Sequence, residues 1–320
     1  MKKKYDYFIY YFPLFAFLFI GMGSILLSVS LSSCSSSVKN PLLLCADSLM
    51  EVSPDSALSI LESISSPQKL SRADRALYAL LLTQARHKNY VPLDDDSLIK
   101  AAVDYYGDRD KSLRAAQAHY YWGATYRDMG RTSFAVEEYL KAIRLMPEQN
   151  EFLAMIYDNL AECYEDEDLY DVAIESYRKS YQIVCRDKKS ISYPLRGIAH
   201  VFLLQHQLDS ALCYFQKAYD CVLAIQDSSM LPLLYNDFST IYLEKKEYVR
   251  ADEYVSKAIS MMPSDNLSGA YHLKGMIMLG LNRLDSARYF FNKYKDEQDI
   301  YGEAVRYNGL REVEKRLGNW

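Results

Sequence analysis

Ser176 and Lys179 stand three residues apart in "ESYRKSY", the Ser-x-x-Lys spacing used for nucleophilic acylation by a serine. Ser264-Asp265-Asn266 supplies the second element of such a site, but no Lys-Thr-Gly follows it. Ser66–Lys69 and Ser97–Lys100 share the spacing, so it recurs cheaply, and Ser176 falls in a helical stretch with nothing to activate it. The histidines are His87, His119, His200, His206 and His272. None belongs to an H-E-x-x-H zinc motif, and His200 and His206 fall on different faces of a helix. The acidic runs Asp94–Asp96 and Glu165–Asp168 lack the glycine and terminal glutamate of a calcium loop. No phosphate-binding glycine-rich loop or G-x-S-x-G is present. Beyond Cys34, the cysteines are Cys45, Cys163, Cys185, Cys213 and Cys221. Their odd number, without a C-x-x-C, indicates neither a disulfide framework nor a zinc site; Cys213 and Cys221 are expected as small core residues. The expectation is a protein without catalytic residues, metal or cofactor.

What, then, do these residues decorate? Of 320 residues, 50% are hydrophobic and 29 are tyrosine, against 12 glycines and 9 prolines. Few breakers and many flat aromatics favour packed helices over a loop-rich sandwich. The net charge is −5, or about −7 without residues 1–33. With no Lys/Arg stripe to reverse that balance, nucleic acid is excluded as a partner.

The first residues, "MKKK", precede the apolar run Phe8–Leu31, the layout of a secretory signal. Leu31, Ser32, Ser33 and Cys34 resemble the lipobox of bacterial lipoproteins, an aliphatic and two small residues before a cysteine. The resemblance implies a signal peptide over 1–33, cleavage before Cys34, lipid attachment to that cysteine, and a lipidated tether over 34–40. Three acyl chains, at about 0.8 kcal/mol per buried methylene, anchor far more firmly than one. The alternative is an uncleaved helix, since the run is long enough to span a bilayer.

A repeat sets the architecture. Ala135, Ala173, Ala211, Ala251 and Ala287 are separated by 38, 38, 40 and 36 residues. Nine residues before each stands Tyr126, Tyr164, Phe202, Tyr242 or Met278, and four after stands Tyr139, Tyr177, Phe215, Val255 or Phe291. Seven after comes Ala142, Ser180, Ala218, Ala258 or Tyr294. Such registered columns resemble the tetratricopeptide repeat (TPR), best in "HYYWGATYRDMGRTSFAVEEYLKAIRLMP" with Trp122, Gly123, Tyr126, Ala135, Tyr139, Ala142 and Pro147. The resemblance implies an all-α, helix-pair solenoid, a right-handed superhelix of about seven repeats with the first two degenerate. The array would run over 116–300, after degenerate units at 41–115 and before a capping helix at 301–320. The early wording, "ADSLM…PDSALSIL", also resembles TPR lipoproteins of Bacteroidota.

Asp-Ser followed by Ala or Leu recurs at Ser48, Ser56, Ser97, Ser210 and Ser286. Asp55, Asp209 and Asp285 of these words are expected to cap the second helix of their pairs. The word is also similar to the O-glycosylation acceptor of Bacteroidota, which would make the five serines modification sites.

The family presents the inner faces of its first helices as a groove for a peptide or partner helix. Counting from each alanine, the groove candidates are Tyr120, Arg127, Asn159, Arg196, His200, Asn236 and His272. They give a polar groove with a cationic spot at Arg196, bordered by Asp158 and Glu162. The expected function is a non-enzymatic, membrane-anchored scaffold docking an envelope protein. The alternatives are a sensor ectodomain acting through a separate membrane protein, and a glycan-capturing lipoprotein. Ser35–Lys39 lack the acidic residues that exported surface lipoproteins carry after the cysteine, so the expected location is the outer membrane, facing the periplasm.

Overall fold

The computed structural model describes residues 38–108, 110–185, 190–226, 228–263, 267–294 and 300–319. The signal peptide, Cys34 with the tether as far as Ser37, and Ser264-Asp265-Asn266, lie outside these residues. Fifteen α-helices follow one another among the described residues, without a strand. They are α1 (Pro41–Leu49), α2 (Pro54–Glu62), α3 (Arg72–Lys88), α4 (Ser97–Tyr106), α5 (Leu113–Asp128), α6 (Thr132–Leu145), α7 (Glu151–Asp166) and α8 (Tyr170–Val184). Then come α9 (Ser192–Leu204), α10 (Leu208–Ala224), α11 (Leu231–Glu244), α12 (Tyr248–Met261), α13 (Ser268–Gly280), α14 (Leu284–Lys293) and α15 (Ile300–Arg316). Each odd helix (A) packs on the following even one (B), giving seven pairs closed by α15. This is the TPR-type solenoid.

The alanine columns are the seam of each pair. Ala135, Ala173, Ala211, Ala251 and Ala287 are all fully buried, as are Tyr139, Phe215, Val255 and Phe291 of the column four residues on. Opposite them on helix A sits a small residue: Gly123, Ala161, Ala199, Ser239 or Gly275. At Gly123 an added Cβ would come within 2.7 Å of the Tyr139 ring, and at Gly275 within 2.6 Å of Phe291. The Oγ of Ser239 donates to the Ala251 carbonyl at 2.8 Å, joining α11 to α12. The next helix A closes on the same rings: Gly197 of α9 leaves room for Tyr177, and Gly309 of α15 for Phe291. Helix faces can approach this closely only where side-chain volume is missing on one of them.

The turn from A to B repeats as faithfully. Gly130, Asp168, His206, Lys246 and Asn282, each five residues before its alanine, all have φ between 56° and 68°. At each turn the following N–H bonds at 2.8 Å to the carbonyl of Tyr126, Tyr164, Phe202, Tyr242 or Met278. A second bond, such as Lys246 N–H to the Leu243 carbonyl at 2.9 Å, completes a Schellman motif. Only one of the five is glycine. The composition therefore conceals a turn that the backbone repeats without variation.

Two sequence expectations are corrected. Asp55, Asp209 and Asp285 do not cap their helices: α2, α10 and α14 begin one residue ahead of them, on Ser53, Gln207 and Arg283 without side-chain caps. The Schellman turn delivers the chain straight into α10 and α14, so each carboxylate lands in the first turn, favoured there by the helix dipole. Side-chain caps sit on A helices instead, at Asn40, Ser71, Ser112 and Asn150. Cys213 is exposed and Cys221 half-buried, leaving Cys163 as the buried thiol among the described residues. Asp74 holds the entry to the array, accepting from the N–H groups of Lys39 (2.9 Å) and Asn40 (3.2 Å).

Gly197→Ala should place a Cβ 2.3 Å from the Tyr177 ring and lower stability by roughly 1–3 kcal/mol. Lys246→Gly should raise it by roughly 0.5–1 kcal/mol, because glycine holds a positive φ without strain. Urea midpoints check both, and equal signs would contradict these roles for seam and turn.

Candidate functional site

Neighbouring A helices touch directly at α1–α3, α3–α5, α7–α9, α11–α13 and α13–α15, whereas no two described B helices pack to that extent. The A helices therefore form the inner wall. The wall is less closely packed at two steps, α5 to α7 and α9 to α11, and at the first a cavity of about 840 Å³ opens. From α3 it is lined by Gln84, His87 and Lys88, from α5 by Gln117, Tyr120 and Tyr121, and from α7 by Phe152, Met155, Asp158, Asn159 and Glu162. Glu51, Tyr90, Glu151 and Tyr193 stand around it. Its volume is within the range of ligand pockets.

The aromatic floor is built by packing. Tyr120 is only 2% exposed, with its ring edge-on to Tyr121 at 4.9 Å and to Phe152 at 5.2 Å. It supports the groove from beneath instead of projecting into it. Burial pushes its hydroxyl well above the ordinary tyrosine range. His87 packs edge-on to Tyr121 at 5.8 Å, and burial lowers its pKa, so it is neutral at pH 7.

Most charges on the inner wall are already paired across the stack. Arg127 of α5 bonds Glu162 of α7 and reaches Asn159 Oδ1 at 3.4 Å. Lys88 pairs with Glu51 at 2.8 Å. Arg196 of α9 grips Asp237 of α11 through two bonds, at 2.6 and 3.1 Å, and His200 Nε2 lies 3.3 Å from the same carboxylate. Arg196 is thus no free cationic spot. Burial alone would raise the Asp237 pKa, but hydrogen bonds from His200 and Arg196 outweigh it and hold the carboxyl below its ordinary value. Asn236 and His272 are half-buried; the His272 ring lies 5.6 Å from those of Phe291 and Tyr294, and burial lowers its pKa.

Asp158 behaves oppositely. Its Oδ1 is buried without a hydrogen-bond partner. Burial raises its pKa to about 7; nearby Ser180 offsets this only in part, and Glu162 adds to it.

Of the seven groove candidates, Tyr120 and Asn159 line the cavity. Arg127 braces it, while Arg196, His200, Asn236 and His272 lie further along the inner wall. Gln84, His87 and Lys88 are not legible in the sequence because α3 lacks the Gly and Tyr that register a repeat; only the left-handed Tyr90 (φ 56°) after it betrays the same turn. Ser48 and Ser97 are exposed, and Ser56, Ser210 and Ser286 are half-buried. Ser176 is 4% exposed, its hydroxyl donated to the Val172 carbonyl at 3.0 Å, and Lys179 pairs with Glu175 at 3.5 Å. Among the described residues no group of three or more potential ligands could hold a metal, and no helix is long and apolar enough to cross a membrane.

Residues 152–224 match the tetratricopeptide repeat family. The fold is similar to that of a tetratricopeptide repeat protein from Parabacteroides merdae, at TM-score 0.61 and 16% identity, covering 85% of this chain and 97% of that one. Aspartyl phosphate phosphatase F from Bacillus subtilis is similar at TM-score 0.60 and 16% identity, covering 97% and 87%. The pilF protein of Pseudomonas aeruginosa is similar at TM-score 0.54 and 15% identity, covering 78% and 99%. Among curated proteins, none matches the sequence.

The two buried carboxylates should respond oppositely to pH. A raised pKa means that ionising Asp158 costs the folded state stability as pH climbs from about 4 to 7. Asp158→Asn should therefore be more stable than the parent by about 2–4 kcal/mol at pH 8 and little different at pH 4. Asp237 has a lowered pKa, so its contribution is full above about pH 4 and lost as pH falls through the folded value. Asp237→Asn should cost about 3–5 kcal/mol at pH 8 by leaving Arg196 unpaired. Urea melts at the two pH values decide, and destabilisation by Asp158→Asn at pH 8 would contradict the assignment.

Proposed function

We propose that this tetratricopeptide-repeat solenoid is a membrane-anchored docking scaffold, its lipid on Cys34 and its inner wall holding a peptide or helix of another envelope protein. Solenoids of this fold are in general protein-interaction scaffolds, typically without catalysis of their own. The observation that carries the reading is the cavity between α5 and α7. It opens on the inner wall, is floored by Tyr120 and Phe152, and is edged by Met155, which is 36% exposed. Apolar floor and polar rim are the composition a docked segment needs. The lipobox resemblance supports the anchor, and the run Ser35–Lys39, free of acidic residues, supports retention at the outer membrane facing the periplasm. Tethering both partners to one membrane raises their effective concentration without any new contact.

A photo-crosslinking side chain at Met155, introduced in the native host, should capture one discrete protein that the same probe at Lys179 on helix B does not. Identical captures from both positions would argue against docking in the groove. Cys34→Ser should move the protein from the membrane to the soluble fraction and abolish the acyl mass increment. Unchanged membrane retention would point to the uncleaved helix instead.

A further inference from the structure

The cavity is lined by acidic and amide side chains that the protein satisfies only in part. Gln84 is 4% exposed, and its Nε2 lies 3.3 Å from Glu51 Oε1. That contact fixes the other amide atom as oxygen, and this Oε1 is buried without a partner. Asp158 Oδ1 is likewise buried with no bond of ordinary length, and the Ser180 hydroxyl, itself unbonded, offsets its burial only in part. Gln84 and Asp158 belong to α3 and α7, on either side of α5, and both line the cavity. Buried polar atoms are nearly always bonded, so two under-satisfied acceptors among the lining residues leave this wall short of donors.

The charges agree. Glu51, Glu151, Asp158 and Glu162 line the cavity against one cation, Lys88. Lys88 is held by Glu51 and the nearby Arg127 by Glu162, and burial keeps His87 neutral. What remains unmatched is carboxylate. Acidic segments would meet like charge here, and neutral ones would leave the excess of carboxylate uncompensated.

We propose that the segment docked in this groove is basic, presenting lysine or arginine side chains to the carboxylate-rich lining around Glu151, Asp158 and Glu162 while apolar neighbours rest on Phe152 and Met155. Ammonium and guanidinium groups carry donors and no acceptors, which is the complement of a wall lined by carboxylates. The proposal rests on the inner wall being a docking groove. It also explains why a carboxylate that weakens the free protein is kept where it is, since binding sites hold groups that stability alone would remove.

The test uses the full chain after residue 34 and three pools of short fluorescent peptides of equal apolar content, whose polar positions are Lys/Arg, Asp/Glu or Ser/Gln. Anisotropy should show the basic pool binding at least tenfold tighter than the neutral pool, with binding weakened by salt. Asp158→Asn should lose roughly tenfold toward the basic pool. Asp209→Asn, which removes an exposed carboxylate on α10, should change nothing. Far-UV circular dichroism checks that both variants are folded. Tighter binding of the acidic or neutral pool overturns the basic partner but leaves docking standing. Basic-pool binding unchanged in Asp158→Asn, or displaced equally well by free spermidine, also overturns it. If no pool binds and Met155 captures nothing, the docking groove falls with it.

Discussion

Four of the five registered pairs hang on one contact: an aromatic ring of helix B pressed against a residue of helix A that has little or no side chain. Tyr139 lies on Gly123, Phe291 on Gly275, and a Cβ at either glycine would overlap the ring. The same rings face the following pair, as Tyr177 meets Gly197 and Phe291 meets Gly309. Each ring thereby sets the distance within a pair, between pairs, or both. Because every pair contacts only its neighbours, stability and shape both propagate through these contacts. The Schellman turns supply the second constraint, fixing where helix B starts relative to helix A five times over.

Once the seam is fixed, the inner wall is left with polar groups that must be satisfied where water is partly excluded. Arg127 with Glu162, and Arg196 with His200 and Asp237, do this by joining one helix A to the next. Such pairs give register to the stack and leave little for a ligand. Both pairs bridge steps, α5 to α7 and α9 to α11, where the A helices pack less closely than elsewhere. At the first of these steps the wall holds a cavity, whose lining carries more carboxylates than cations.

The fold was legible because its columns are enforced by volume. Replacing Ala173 or Phe215, both fully buried, by another size would break a pair, so their spacing survives in the sequence. The A-to-B turn was less legible, since Asp168, His206, Lys246 and Asn282 tolerate a left-handed backbone that glycine would have advertised. The site was legible only in part. Counting along a helix finds the face on which Arg196 lies, but not that Asp237, 41 residues later, already holds it. Nor does counting help in α3, whose contributions Gln84 and Lys88 sit in a unit that lost its signature residues while keeping its packing.

If the inner wall between α3 and α7 is the working surface of the molecule, it should be covered where the protein works. Hydrogen–deuterium exchange of the protein in its own host envelopes, compared with the purified chain, tests that claim most directly. Exchange should slow in the cavity-facing segments 84–90 and 150–162, with the B helices α6, α8 and α10 unchanged. Protection centred on the B helices, or no difference between the two preparations, would contradict it.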